Sequence, residues 1–208
     1  MAARVHVKIC GVTSVEDAVA VVDAGASAIG VNFVAASPRR VTVERAREIA
    51  LAVRGRTLVV GVVADLTVAA MRALVKDAQL ECLQMHGDES PDDVAAMLPH
   101  AYKAVRIGDA SDVARARAFP GEHLLVDARV AGALGGTGHV VDWALVVPLA
   151  RERKLTLAGG LTPANVEEAL CAVQPYCVDV ASGVESAPGV KDMAKVRAFI
   201  ETATRTRQ

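Results

Sequence analysis

The sequence predicts an α/β chain folded over residues 1–208 as a single-domain, closed (β/α)₈ barrel. Short apolar runs alternate with amphipathic stretches in a repeat of about 25 residues, with no linker, low-complexity segment or shift in composition. The runs are apolar on both faces, as strands buried in a parallel sheet are. Eight such units fill the chain at about the size of a small barrel, which favours closure over an open sheet.

The strand-like runs cover residues 5–9, 28–33, 58–63, 82–86, 102–105, 123–127, 155–157 and 177–180. Helix starts lie between them. Ser14, Thr42 and Thr67 stand where a side-chain oxygen caps a first turn, and Asp17 follows Ser14 at the reciprocal position of a capping box. Ser90-Pro91-Asp92-Asp93 and Thr162-Pro163-Ala164-Asn165 put proline at the first helical position.

Bulk properties narrow the function. Hydrophobic residues make up 52% of the 208 positions, ample for a substantial core. A formal net charge of −1 argues against a nucleic-acid-binding surface, so positive charge for an anionic ligand must be local. No apolar run nears the roughly 20 residues that span a bilayer, and the N-terminal residues do not read as a signal peptide. Cys10, Cys82, Cys171 and Cys177 form no C-x-x-C pair, and a chain this large needs no disulfide staples. A reducing, cytoplasmic setting is expected.

In such a barrel the reacting groups stand at the C-terminal ends of strands and in the βα loops. Strand one ends Lys8-Ile9-Cys10-Gly11. Cys10 is either a buried structural thiol or, at the mouth beside a helix start, a thiol of lowered pKa. Lys8 alternates with Cys10 on one strand face and suits a Schiff base, a thiolate-stabilising cation or an ordinary ion pair. After strand two, Arg39 and Arg40 are either solvated or a bidentate clamp for a substrate carboxylate. Gln84 and His86 share an inward face of strand four as polar packing able to line a pocket. No second His or carboxylate there has metal-ligand spacing, and no metal is expected.

Asp127 closes the apolar run Leu124-Leu125-Val126, where desolvation raises a carboxyl pKa and suits it to proton donation; the alternative is an Asp capping the next turn. The loop Gly135-Gly136-Thr137-Gly138 either covers a ligand or turns the chain. Gly159-Gly160 after strand seven and Ser182-Gly183 after strand eight let backbone N–H groups approach closely, which is the recurrent phosphate site of barrel enzymes.

Several of these segments occur together in one known family. They are Lys8-Ile9-Cys10-Gly11-Val12-Thr13, Gly30-Val31-Asn32-Phe33, Ser37-Pro38-Arg39, Gln84-Met85-His86-Gly87-Asp88-Glu89, Asp127, Ala158-Gly159-Gly160-Leu161 and the stretch from Val178 to Glu185 with Pro188-Gly189 and Lys191-Asp192. In their order and spacing the chain resembles phosphoribosylanthranilate isomerase along essentially its whole length. The resemblance implies Cys10 as general base, Asp127 as general acid and Arg39 against the anthranilate carboxylate. It puts the phosphate on Gly159-Gly160 and Ser182-Gly183, and matches Asp179 to a family position of no assigned role. Ala181 stands where the family often has Ser, and Met85 where Leu is usual.

The implied reaction is an Amadori rearrangement in tryptophan biosynthesis. N-(5-phosphoribosyl)anthranilate becomes 1-(2-carboxyphenylamino)-1-deoxyribulose 5-phosphate, with no cofactor or metal. The implied partner is this small phosphorylated substrate, bound by a monomer or homodimer. Lys8 and the peptide dipoles after strand one are expected to lower the Cys10 pKa, with Lys8, His86 and Asp179 as possible pocket-lining residues. A histidine-pathway barrel isomerase, or a bifunctional one, is the nearest alternative, although that enzyme uses two aspartates where this chain has Cys10 and Asp127. A lysine aldolase through Lys8 and a non-catalytic phosphosugar-binding barrel are the others, the latter opposed by the intact Cys10, Asp127 and Arg39.

Overall fold

Strands that are apolar on both faces need two interiors, one against helices and one inside a barrel. The computed structural model describes residues 5–127 and 143–206 and has both. The loop of Gly135-Gly136-Thr137-Gly138 lies outside the described residues. Strands β1 (His6–Cys10), β2 (Ala28–Asn32), β3 (Leu58–Val63), β4 (Cys82–Met85), β5 (Ala101–Arg106), β6 (His123–Asp127), β7 (Lys154–Ala158) and β8 (Cys177–Val180) pair in sequence order. All the pairings are parallel, and β8 returns to β1 with Lys8 opposite Asp179 to close the barrel.

Helices follow the strands around the outside: α1 (Val15–Asp23), α2 (Val43–Ala52), α3 (Val68–Asp77), α4 (Pro91–Met97), α5 (Ala110–Arg117), α6 (Val147–Glu152), α7 (Val166–Val173) and α8 (Met193–Arg205). None of the described helices is long and apolar enough to cross a membrane. The observed strands match the predicted runs to within one or two residues. A short antiparallel hairpin of β9 (Glu185–Ala187) and β10 (Val190–Lys191) follows β8 and was not predicted by the alternation.

The caps follow the local chemistry. Ser14, Thr42 and Thr67 accept hydrogen bonds from the amides of Asp17, Arg45 and Ala70, and Ser90 forms a full capping box with Asp93. Asp17 leaves its box incomplete because its carboxylate accepts the Lys191 N–H at 3.1 Å instead, joining α1 to β10. The expected start of α7 at Pro163 is also corrected. The Asn165 side chain accepts the Thr162 N–H at 2.7 Å and donates to the Gly160 carbonyl at 3.1 Å, so residues 162–165 form a turn and the helix begins at Val166.

The main core lies between sheet and helices, where Ile9, Ile29, Leu83, Leu124 and Phe199 are fully buried. Each such side chain contributes about 1.5–3 kcal/mol by leaving water. Inside the barrel a smaller group of Ala104, Leu125 and Ala158, with Tyr102 against it, gives way to buried polar side chains: Lys8, Gln84, Thr156 and Asp179.

A buried ion pair steadies the loop that follows β4. Lys103 Nζ lies 2.9 Å from Glu89 and also donates to the carbonyls of Met85 and Gly87, while Glu89 accepts the amides of Asp65 and Gly87. Removing one partner strands a buried charge. Glu89→Gln is expected to lower the unfolding free energy by about 3 kcal/mol in urea titration, and a loss below about 1 kcal/mol would show the pair to be dispensable.

Candidate active site

Closure brings the C-terminal strand ends around one hollow. A cavity of 170 Å³ is walled by Cys10 from β1, Asp127 from β6, Arg39 and His86, with Gly159, Gly160, Asp179 and Ser182 completing it. It opens into a broader cleft of 1030 Å³, and Asn32, Val62, His86 and Asp127 line both. Lys103, Arg106 and Arg115 line the broader part together with Asp65, Asp88 and Glu89, and Lys103 is taken up by its ion pair with Glu89. Gly30 sits opposite Cys10 in the β1–β2 register, and a Cβ there would come within 2.7 Å of Cys10 Sγ. Glycine at that position makes the space for the thiol.

Lys8 lies beneath the cavity rather than in its wall. Its Nζ donates to Asp179 at 2.8 Å and to Gln84 Oε1 at 2.9 Å, and Tyr102 Oη donates to the same amide oxygen at 3.2 Å. Burial opposes the Lys8 charge, yet the Asp179 carboxylate beside it holds the ammonium well above its ordinary pKa. An amine held beneath the cavity by Asp179 and Gln84 is not presented to a substrate carbonyl, which argues against the aldolase reading.

The same network assigns a histidine tautomer. With Gln84 Oε1 accepting twice, Gln84 Nε2 donates to His86 Nδ1 at 3.0 Å. His86 Nε2 then carries the proton and lies 3.8 Å from Asp127 Oδ2. Burial, reinforced by Arg106, Lys103 and Lys8, keeps the His86 pKa below its usual value despite Asp127. The other Asp127 oxygen, Oδ1, is buried without a hydrogen-bond partner among the described residues.

The thiol departs from expectation. Burial is the largest influence on Cys10 and pushes its pKa up; Lys8 and Lys191 oppose this, while Asp179 adds to it. Lys8 does lower the thiol, as expected, but desolvation outweighs it.

Arg39 is more firmly held than a loop arginine suggests. Its Nε and Nη2 reach the two Glu185 oxygens at 2.8 and 2.6 Å, and its stem crosses Gly11, where a Cβ would meet Arg39 Cδ at 2.4 Å. Lys191 Nζ donates to Glu185 at 2.9 Å and to the Cys10 carbonyl at 2.6 Å. Burial opposes the Glu185 charge, but Arg39 and Lys191 hold the carboxyl below its usual range. Sequence reasoning gave Glu185 and Lys191 no role. The available signal was Pro188-Gly189 between two short runs, which marks a hairpin.

The two glycine loops meet. Gly159 and Gly160 have φ of +95° and +69°, in the left-handed region where side chains are strained. Gly183 packs directly on the other loop, since a Cβ there would lie 2.0 Å from the Leu161 carbonyl oxygen. Close packing therefore requires glycine at 183, and Ser182 beside it stands in the cavity wall. Among the described residues no cluster of three His, Cys, Asp or Glu could hold a metal ion.

The family model for N-(5′-phosphoribosyl)anthranilate (PRA) isomerase matches residues 7–202. The chain belongs to the phosphoribosylanthranilate isomerase family. It is 45% identical over 206 residues to N-(5′-phosphoribosyl)anthranilate isomerase of Pseudomonas aeruginosa (strain LESB58), covering 98% of this chain and 97% of that one. The crystal structure of phosphoribosyl anthranilate isomerase from Thermotoga maritima superposes with a TM-score of 0.88 at 36% identity, covering 96% of this chain and 98% of that one. A phosphoribosyl anthranilate isomerase in complex with reduced 1-(o-carboxyphenylamino)-1-deoxyribulose 5-phosphate matches with a TM-score of 0.85 at 35% identity, covering 96% and 98%.

The thiol's surroundings generate a signed pH prediction. Alkylation of Cys10 follows its thiolate, so its midpoint, read by mass spectrometry of the Cys10 peptide, should lie above the roughly 8.5 of free cysteine. Asp179→Asn removes a negative charge and should move that midpoint down; Lys8→Met removes a positive one and should move it up. A wild-type midpoint below free cysteine would contradict the dominance of burial.

Proposed function

We propose that this chain catalyses the family's Amadori rearrangement, converting N-(5-phosphoribosyl)anthranilate into 1-(2-carboxyphenylamino)-1-deoxyribulose 5-phosphate, with Asp127 as general acid and Cys10 as general base. The observation that carries this reading is that Cys10 and Asp127, from β1 and β6, wall one cavity together with Arg39 and the glycine loops. The compound bound by the structural relative has a carboxylate at one end and a phosphate at the other. Here Arg39 is the fitting group for the carboxylate, and the backbone around Gly159-Gly160 and Ser182-Gly183 for the phosphate.

Asp127 gives its proton to the furanose ring oxygen as the anilino nitrogen lone pair expels it, leaving an open-chain iminium. Cys10 thiolate then removes the C2′ proton, and the C2′–H electrons close onto the iminium to form an enolamine. Return of a proton to C1′ and loss of the enol proton give the ketone. No atom is gained or lost, and no oxidant or reductant is needed.

The raised thiol pKa fits this order of events. Burial disfavours the Cys10 thiolate, and a cationic iminium beside it favours that thiolate at the moment a base is needed. A thiol of higher pKa is also a stronger base once ionised. Anchors at both substrate ends hold the reacting atoms in place between them.

The test is the loss of substrate fluorescence on phosphoribosylanthranilate generated in situ. Wild type should turn it over, while folded Cys10→Ala and Asp127→Asn should each lose about 10²- to 10⁴-fold in kcat/KM. Absence of turnover by folded wild type, with turnover of the histidine-pathway aminoaldose instead, would overturn the assignment.

A further inference from the structure

We infer that Glu185 is a positioning residue that, with Lys191, presets the substrate-facing donors of Arg39 and locks them to the backbone of Cys10. This inference rests on the reading of Arg39 as the carboxylate clamp. A guanidinium has five N–H donors in a planar fork. Glu185 takes Nε–H and one hydrogen of Nη2, at 2.8 and 2.6 Å, so the edge bearing Nη1 is left for another anion. The Arg39 stem lies across Gly11, and its side chain reaches the cavity wall beside Cys10. With two donors fixed and the stem seated, little rotamer freedom remains to be lost when substrate binds.

Glu185 is itself over-determined. Its side chain is 4% exposed, and Lys191 Nζ, fully buried, bridges Glu185 Oε1 at 2.9 Å to the Cys10 carbonyl at 2.6 Å. The hairpin carrying both residues is tied down at further points. Thr13 Oγ1 donates to the Gly189 carbonyl at 2.6 Å, and Asp17 accepts the Lys191 amide at 3.1 Å. The loops after β1, β2 and β8 therefore form one unit, and the carboxylate clamp and the base share a frame. A plain structural ion pair would not require the carboxylate to address Arg39 through two parallel bonds while a second cation holds the catalytic strand end.

The experiment is a double-mutant cycle on the fluorescence assay with Glu185→Gln, Arg39→Ala and the pair, each with thermal unfolding measured. Glu185→Gln is expected to raise KM tenfold or more with kcat within about threefold, because it loosens a group that binds ground and transition states alike. In the Arg39→Ala background the same change should leave KM unaltered. The inhibition constant of inorganic phosphate, a competitor for the opposite end of the site, should not move. If Arg39→Ala raises KM but Glu185→Gln does not, the positioning role is overturned and the clamp stands. If Arg39→Ala leaves KM unchanged, the clamp reading itself is overturned. A rise in the phosphate constant alongside KM would mean a general collapse of the loops, and would also overturn the role. Should Glu185→Gln not fold, Glu185→Asp keeps the charge beside Lys191 but withdraws it by one methylene from the fork, and the same KM rise is expected.

Discussion

An ammonium sealed inside a barrel constrains everything above it. Lys8 is 2% exposed, and an ion so placed forfeits several kcal/mol of hydration unless its surroundings answer it. Asp179 answers from β8, directly opposite Lys8 in the register that closes the barrel, and Gln84 answers from β4. The seam of the barrel is thus an ion pair, and a cross-tie runs to β4. From it follow the orientation of the Gln84 amide, the tautomer of His86 and the proton that His86 turns toward Asp127. A polar floor therefore orders one wall of the cavity without any part of it needing to react.

The other wall is ordered from the hairpin. Lys191 and Glu185 repeat the same device at the mouth, a buried cation and carboxylate that hold a third group in place. Between these two networks stands a thiol in a space made for it by Gly30. Burial raises the thiol while the neighbouring cations restrain that rise, so its ionisation is open to a charge arriving with substrate. Fixed charges at its walls suit a reaction in which a cationic intermediate appears and disappears inside the cavity.

Much of this was legible in the sequence because it is local. Apolar runs bounded by turn residues located the strands, single Ser and Thr residues marked four helix starts, and paired glycines marked the loops after β7 and β8. What escaped depends on contacts between distant residues. Arg39 and Glu185 are 146 positions apart, so nothing near either one announces their fork. Asp17 has the sequence of a capping box, but a backbone amide from β10 claims its carboxylate. The Thr162-Pro163 start failed because Asn165 folds back on Thr162 and Gly160. The direction of the Cys10 shift was misjudged because neighbouring cations can be guessed from a strand, whereas the depth of burial cannot.

One cavity is proposed to hold the substrate by both ends with Cys10 and Asp127 at its sugar. The most direct measurement is a crystal structure of this chain soaked with reduced 1-(o-carboxyphenylamino)-1-deoxyribulose 5-phosphate. The phosphate is expected on the loops of Gly159-Gly160 and Ser182-Gly183 and the carboxylate on Arg39. Cys10 Sγ should lie within about 4 Å of C2′ and Asp127 beside the C4′ oxygen. A ligand seated in the broader cleft, with its phosphate on Arg106 or Arg115 and neither reacting side chain at the sugar, would contradict this placement.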